Sequence, residues 1–536
     1  MRIRPIVGLF LLTALLGGFR LSAAQAEPLP ADKSAMTEAQ LDRGRVDWAK
    51  RNIAEPLSRF ARDWKPTDRH LKFMVDSYLW ADRMFAVTDR AATLAEADAL
   101  LREKPTDPWL RCAIARELLI AKRAPEAWPL VENGVRDIKA SDYPAWIQYF
   151  VAMTAAEIAE QTSRNNERNE SLSYGADRLV AFLAAAEIDP RDERYYYMSI
   201  RRPVYKSFPP AIADKLVEQI AALKTGNEWL RANIVSEMER DIAWKIRGNG
   251  FANEVRPDAW PGFEKHLRVA RTAAKRAHSL RPEYPEAANR MIGISRAIPG
   301  LPDQTPRYWF DQSVKAQFDY HPAYFELLVT LRPRWGGSHE EMFDFVNECV
   351  ATERYDTRVP YVLLYALELA GDDVGRKFAF LRDKPELVST TTEMLDRYVT
   401  EYSDELKTAD NPYRIAILKY RLLTLRPQRA AIACWTEDWT AGRAALDKTG
   451  LQVDTEKAAE WGFRPECLIG DLVLFTGPAA VPALAARQAR HDDDPRGIKD
   501  SLAEATAALE AAKDLDPKLR QIMSDSLIRW RTEPWR

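Results

Sequence analysis

The sequence predicts an all-α protein of stacked antiparallel helical hairpins, and three observations carry that prediction. Apolar residues return at intervals of three and four along nearly the whole chain, the period of a helix with one buried face. Prolines punctuate those patterns, and after most of them an aromatic-containing helical pattern begins. No stretch alternates convincingly as a half-buried strand would. The one ambiguous run, residues 467–475, is short enough for a strand or a buried helix.

The chain opens with Met1-Arg2-Ile3-Arg4-Pro5, a short basic stretch, then an apolar run over 6–19 and the small-x-small pattern Ala24-Gln25-Ala26 of a cleaved leader. The run is about fourteen residues, short of the roughly 20 a spanning helix needs, and Arg20 closes it. Residues 1–26 are therefore expected to be a signal peptide, and the mature chain to be periplasmic or secreted. Helical patterns follow over 41–60, 91–101, 146–158, 176–186, 211–223, 263–280, 342–350, 361–370, 415–425 and 502–515. Proline suits the first turn of a helix, where its missing donor costs nothing, and it discourages helix in the residue before it. Pro105, Pro190, Pro282, Pro322, Pro412 and Pro517 stand 85, 92, 40, 90 and 105 residues apart, loosely one or two multiples of a unit above forty, as degenerate helical repeats would space them.

About 510 mature residues exceed what one core usually serves. The stretch 248–262, rich in glycine and proline with little apolar period, and the region 408–412 are the expected linkers. They divide the mature chain into helical regions over 27–247, 263–407 and 412–536.

Loss of the leader removes Arg2, Arg4 and Arg20 and no acid, leaving 74 basic against 79 acidic residues, a net charge of −5. Neither sign dominates, which argues against a nucleic-acid partner. Cys112 and Cys349 sit in apolar helical patterns and read as buried thiols. Cys434 and Cys467 are close enough in sequence for a bridge in an oxidising compartment, and the sequence leaves that open.

Two stretches, Val269-Ala270-Arg271-Thr272-Ala273-Ala274-Lys275-Arg276-Ala277-His278-Ser279-Leu280-Arg281-Pro282 and the run 503–517 ending in Asp516-Pro517, place small residues at close-packing positions and end in proline. Both resemble the second helix of a tetratricopeptide-type repeat, although the Trp-Leu-Gly pattern of that family's first helix is missing. The region 270–350, with Pro333-Arg334-Trp335-Gly336-Gly337-Ser338, also resembles a bacterial family of envelope helical-repeat proteins with no assigned activity. The resemblance implies a tetratricopeptide-like α-solenoid and no reaction.

One segment asks for more than a fold. The helix containing Tyr324, Leu327, Leu328 and Leu331 should stop near Arg332 because Pro333 restricts its predecessor. Gly336 and Gly337 open backbone angles closed to other residues, and Ser338 with Glu341 reads as a capping box. Turn chemistry does not require Arg334 or Trp335. They are the candidate partner-binding residues, since a guanidinium fork and an indole face suit a carboxylate, a sugar ring or a peptide. The plainer alternative packs Trp335 into the neighbouring hairpin and pairs Arg334 with a local acid.

Other patterns fall short of a site. His339-Glu340-Glu341-Met342-Phe343 lacks the second histidine of a zinc-protease helix, Gly248-Asn249-Gly250 lacks the strand and third glycine of a nucleotide loop, and His491-Asp492-Asp493-Asp494 reads as a solvated loop. Tyr195-Tyr196-Tyr197 and Trp435 with Trp439 read as core. No motif for a catalytic residue, metal or cofactor stands out. The function expected is a non-enzymatic scaffold whose concave face binds a protein or peptide in the cell envelope. The alternative is a secreted carbohydrate-active enzyme on an all-helical toroid, which needs two facing carboxylates that the sequence does not single out.

Overall fold

The computed structural model describes residues 29, 37–61, 64–81, 90–185, 188–298, 304–375, 381, 384–453 and 464–533, so the leader expected over 1–26 lies outside the described residues. Every element among them is helical. No described helix is long and apolar enough to cross a membrane. Two compact units divide at Gly337–Ser338, one of Pro30–Gly337 and one built on Ser338–Arg536.

In the first unit, α1 (Glu38–Ala49) passes through a π-helical turn, Lys50–Ala54, into α2 (Glu55–Phe60). Then come α3 (Asp68–Ala81), α4 (Arg90–Arg102), α5 (Pro108–Ile120), α6 (Ala124–Val131), α7 (Gly134–Lys139), α8 (Ala145–Gln161) and α9 (Asn165–Ala185). The remainder is α10 (Glu193–Ser207), α11 (Pro210–Ala222), α12 (Glu228–Arg247), α13 (Ala259–Leu280), α14 (Pro285–Ala297), α15 (Pro306–Ala316) and α16 (His321–Thr330). Pro108, Pro285 and Pro306 each open a helix, and side chains such as Asp107, Asn227 and Thr305 cap the free amides there.

Consecutive helices pair as hairpins: α8 with α9, α12 with α13, α14 with α15. In addition α8, α10, α12, α14 and α16 touch in succession and form one layer of the stack, the arrangement of a tetratricopeptide-like α-solenoid. The first of the two stretches resembling a tetratricopeptide second helix lies in α13. Its Ala270, Ala274 and Ala277 are fully buried, and Ser236 of α12 donates to the Ala270 carbonyl at 2.8 Å. Small side chains let the two backbones come that close. The stretch 248–262 forms the turn between α12 and α13 and the start of α13.

Near the start of this unit the core is aromatic. Trp48 is fully buried, with ring centroids of Tyr78, Trp146 and Tyr196 at 5.2, 5.6 and 5.2 Å. Tyr195, Tyr196 and Tyr197 are buried, although Tyr197 turns its hydroxyl toward charge.

The second unit holds α17 (His339–Val350), α18 (Val362–Asp373), α19 (Pro385–Thr408), α20 (Pro412–Trp435) and α21 (Trp439–Asp447). It ends with α22 (Pro465–Leu474), α23 (Ala480–His491), α24 (Pro495–Ala511) and α25 (Pro517–Thr532). The pairs α19–α20 and α23–α24 repeat the hairpin, and 408–412 joins α19 to α20. The ambiguous run 467–475 is helical: Pro465 opens α22, and Leu468, Leu472 and Val473 return at helical spacing into the core. All four cysteines are free thiols, and burial pushes the Cys112 thiol up to about 11.

Trp48→Ala empties the centre of the aromatic cluster. It should cost about 3–5 kcal/mol of stability, read as a lower denaturant midpoint for the first unit's tryptophan signal.

Candidate functional site

The layer α10–α12–α14–α16 carries charges that water hardly reaches. Arg194 of α10 donates to Glu286 Oε1 of α14 from Nε at 2.8 Å and Nη2 at 2.6 Å, and also to Gln317 at 2.9 Å. Arg290 of α14 donates to Asn233 Oδ1 at 3.0 Å and Glu237 at 3.2 Å, and it shares a hydrogen-bonded contact with the Tyr197 hydroxyl. Arg194, Glu286 and Arg290 are buried. A cavity of about 170 Å³ opens beside Glu286 and Arg290, lined also by Tyr197, Glu237, Asn289 and Tyr320 with Arg201 and Arg240. Both arginine bonds to Glu286 fall on Oε1, and Oε2 is buried without a partner.

The electrostatics follow from burial. Burial alone would raise the Glu237 carboxyl, but Arg290, Arg201, Arg240 and the Tyr197 hydroxyl outweigh it and hold the group below its ordinary value. Burial, with the charge of Glu286, pushes the Tyr320 phenol up to about 12, so that it stays a donor.

From this chamber the polar line runs outward. Glu326 of α16 accepts from Arg296 at 3.3 Å and lies 3.7 Å from Arg240. Arg296 stacks over Trp335, its guanidinium carbon 4.9 Å from the ring centroid. Burial lowers the pKa of Arg296 despite Glu326. Trp335 thus links the buried network to the surface.

The turn that places Trp335 forms as expected in most respects. Arg332 is extended before Pro333, a 3-10 turn spans Pro333–Trp335, and Gly336 is left-handed at φ 91°. Gly337 lies so close to Leu331 that a Cβ there would sit 2.2 Å from its carbonyl oxygen. The capping box is only half made: Ser338 Oγ accepts the Glu341 amide at 3.1 Å, but the return bond from the Glu341 side chain is not formed.

Of the two candidate residues, Trp335 packs edge-on against Trp244 of α12, centroids 5.9 Å apart at 89°. Arg334 is exposed and makes no ion pair with any described acid. It lies 5.1 Å from the Phe251 ring and 5.6 Å from Trp335, with a long 3.4 Å bond to the Asn249 carbonyl. Arg247, which the sequence did not single out, joins them. It is 8% exposed, stacks 5.6 Å from Trp335, and donates to the carbonyls of Gly248 and Gly250 at 3.0 and 3.1 Å. Burial, then the Arg334 charge, lowers its pKa. The only sequence signal for Arg247 was its place before the Gly-Asn-Gly turn.

The second unit carries a separate surface. A groove of about 1210 Å³ follows one face of α19, with Tyr355 on one wall and Trp435 on the other. Trp435, expected in the core, is half-exposed there, whereas Trp439 does pack inward, 4.6 Å from Phe475. Asp494, in the expected solvated loop, caps α24 through the Gly497 amide at 3.0 Å.

No family model matches this chain, and no curated protein does. Among solved structures it is similar to the crystal structure of the APC/C hetero-tetramer Cut9–Hcn1, at 9% identity, with 90% of this chain and 100% of that chain covered and a TM-score of 0.15. A superposition that poor carries no argument, and the fold stands on the helix packing itself.

Two outcomes test the geometry. Arg290→Met strands a buried carboxylate and should cost about 3–5 kcal/mol at neutral pH. Because Glu237 is depressed in the native protein, its contribution is complete above the unfolded value of about 4.3 and fades as pH falls through the native one. The gap between Arg290→Met and the parent should therefore narrow in acid, seen in denaturant unfolding across pH. Separately, Gly336→Ala incurs only left-handed strain, about 1–2 kcal/mol, whereas Gly337→Ala meets backbone and should lower the melting temperature further.

Proposed function

We propose that this protein is a non-enzymatic helical-repeat scaffold that binds a basic, partly apolar peptide segment of a protein partner in the cell envelope. The groove along α19 carries the reading. The face from Pro385 to Glu401 spans about 24 Å at helical rise, room for roughly seven extended residues. Val388, Tyr355 and Trp435 supply apolar contact.

Its charge selects the occupant. Seven carboxylates and two guanidiniums line the groove among the described residues. Arg397 is held by Glu353 at 3.3 Å and Arg429 by Asp396 at 3.0 Å, so neither offers free positive charge. Asp356 pairs with Arg354 at 2.7 Å, Glu437 with Arg487 at 2.8 Å, and Asp438 caps α21 through the Ala441 amide at 3.1 Å. That leaves Glu393 and Glu401, exposed and without an ion pair among the described residues. They stand two turns apart on one helix, about 12 Å along the axis. A glycosidase pair needs carboxylates facing across the bond at roughly 5–9.5 Å, so the carbohydrate-active alternative draws no support from them. The leader expected over 1–26 supports export, and the Pro-Arg-Trp-Gly-Gly-Ser resemblance supports an envelope setting.

A fluorescent lysine-rich peptide carrying leucine and phenylalanine anchors should bind the full chain and weaken as salt rises. Glu393→Lys with Glu401→Lys should reduce affinity about tenfold or more at low salt, because neither side chain has an ion pair to lose among the described residues. Binding unchanged in the double variant, or no binding by the parent chain, would defeat the proposal.

A further inference from the structure

We infer that the corner formed by Arg247, Arg334, Trp335 and Phe251 in the first unit is a binding site for an organic carboxylate with an apolar group beside it. This site is independent of the α19 groove.

Three guanidinium carbons, from Arg296, Arg247 and Arg334, lie 4.9, 5.6 and 5.6 Å from the centroid of one indole, Trp335. Cation–π attraction accounts for one such contact readily, at about 0.5–2 kcal/mol. It does not cancel the mutual repulsion of cations gathered on one ring. Among the described residues only Arg296 has an acid, Glu326, and Glu326 is shared with Arg240. Arg247 and Arg334 pair with no described carboxylate. The acid of the adjacent turn, Glu254, is engaged by the Phe251 amide at 2.7 Å.

Donors without acceptors make the same point. Arg247 uses one nitrogen on two carbonyls and the rest of its fork donates to nothing among the described residues. Arg334 has one long bond. The indole N–H groups of Trp244, Trp260 and Trp335 donate to no described residue either and, unlike those of Trp48 and Trp128, are not shut away from solvent, so a ligand can reach them. A planar oxyanion would accept from guanidinium forks in the bidentate manner and supply the missing negative charge. The uncompensated positive charge is what such a ligand would relieve.

The aromatic walls decide between oxyanions. Phe251 is 57% exposed and Arg334 lies 5.1 Å from its ring, so an apolar group attached to the anion would cover open ring surface. Inorganic phosphate has no such group. The glycine turn fixes the geometry from below, and the Gly248–Gly250 carbonyls hold Arg247 in place.

Isothermal titration of the full chain at constant ionic strength tests this with N-acetylphenylalanine, its amide and inorganic phosphate. The acid should bind, the amide should not, and phosphate should bind more weakly. Arg334→Gln, at an exposed position with no ion pair, should weaken the acid at least about tenfold. A tripeptide ending in phenylalanine that binds tighter than the single residue identifies a chain terminus as the source; equal affinity identifies a free acid. Should Arg334→Gln fail to fold by circular dichroism, Phe251→Ser supplies the comparison and should weaken the acid as well. Acid and amide binding alike, phosphate binding as tightly as the acid, unchanged affinity in the folded variant, or no heat from the acid would each overturn the inference.

Discussion

In the first unit, charges that water hardly reaches set the spacing of four helices. Arg194–Glu286 and Arg290–Glu237 each join two different helices of the layer α10–α12–α14, and Glu326 of α16 extends the line. Taking such ions out of water is expensive, and attraction offsets the cost only where geometry satisfies the remaining donors and acceptors. Asn233, Gln317 and Tyr197 provide that satisfaction for the two arginines, while Glu286 Oε2 stays without a partner among the described residues. Because a shift of any helix would leave a charge buried and alone, the network tolerates one registry of the layer. The close packing of α12 on α13 through Ala270, Ala274 and Ala277 holds the opposite side. The position of Trp335, and through it Arg334, follows from that registry by way of Arg296.

The two surfaces have opposite chemistry for local reasons. Along α19, arginines are consumed by neighbouring acids, and what is left over is negative. Around Trp335, the described acids are already shared or engaged, and what is left over is positive and rich in donors. Neither character shows in the composition, which is close to neutral. A chain with almost no net charge can carry strong local fields when ion pairs are distributed unevenly.

Helices were legible because their signals are local. The apolar period marks the faces that become core, and prolines such as Pro412 and Pro517 sit at helix starts as expected. The expected end near 515 overshot α24, which stops at Ala511. Apolar period distinguishes helix from strand poorly over short runs, and Pro465 rather than periodicity decides that 467–475 is helical. The site was legible only in part. Arg334 and Trp335 stood out because turn chemistry did not need them, but their neighbours are far away in sequence: Asn249 is 85 positions from Arg334, and Glu286 is 92 from Arg194. Periodicity says which face of a helix is apolar. It does not say which polar residues a second helix will enclose, so nothing in the sequence marks Glu237, Glu286 and Arg290, and Trp435 reads as core.

The central claim, that the α19 face receives a basic peptide, is tested most directly by hydrogen–deuterium exchange of the full chain with and without the lysine-rich probe. The account predicts slowed exchange confined to 385–401 and the flanking segments 353–356 and 435–438. Protection absent from those segments, or appearing elsewhere while they exchange unchanged, would contradict it.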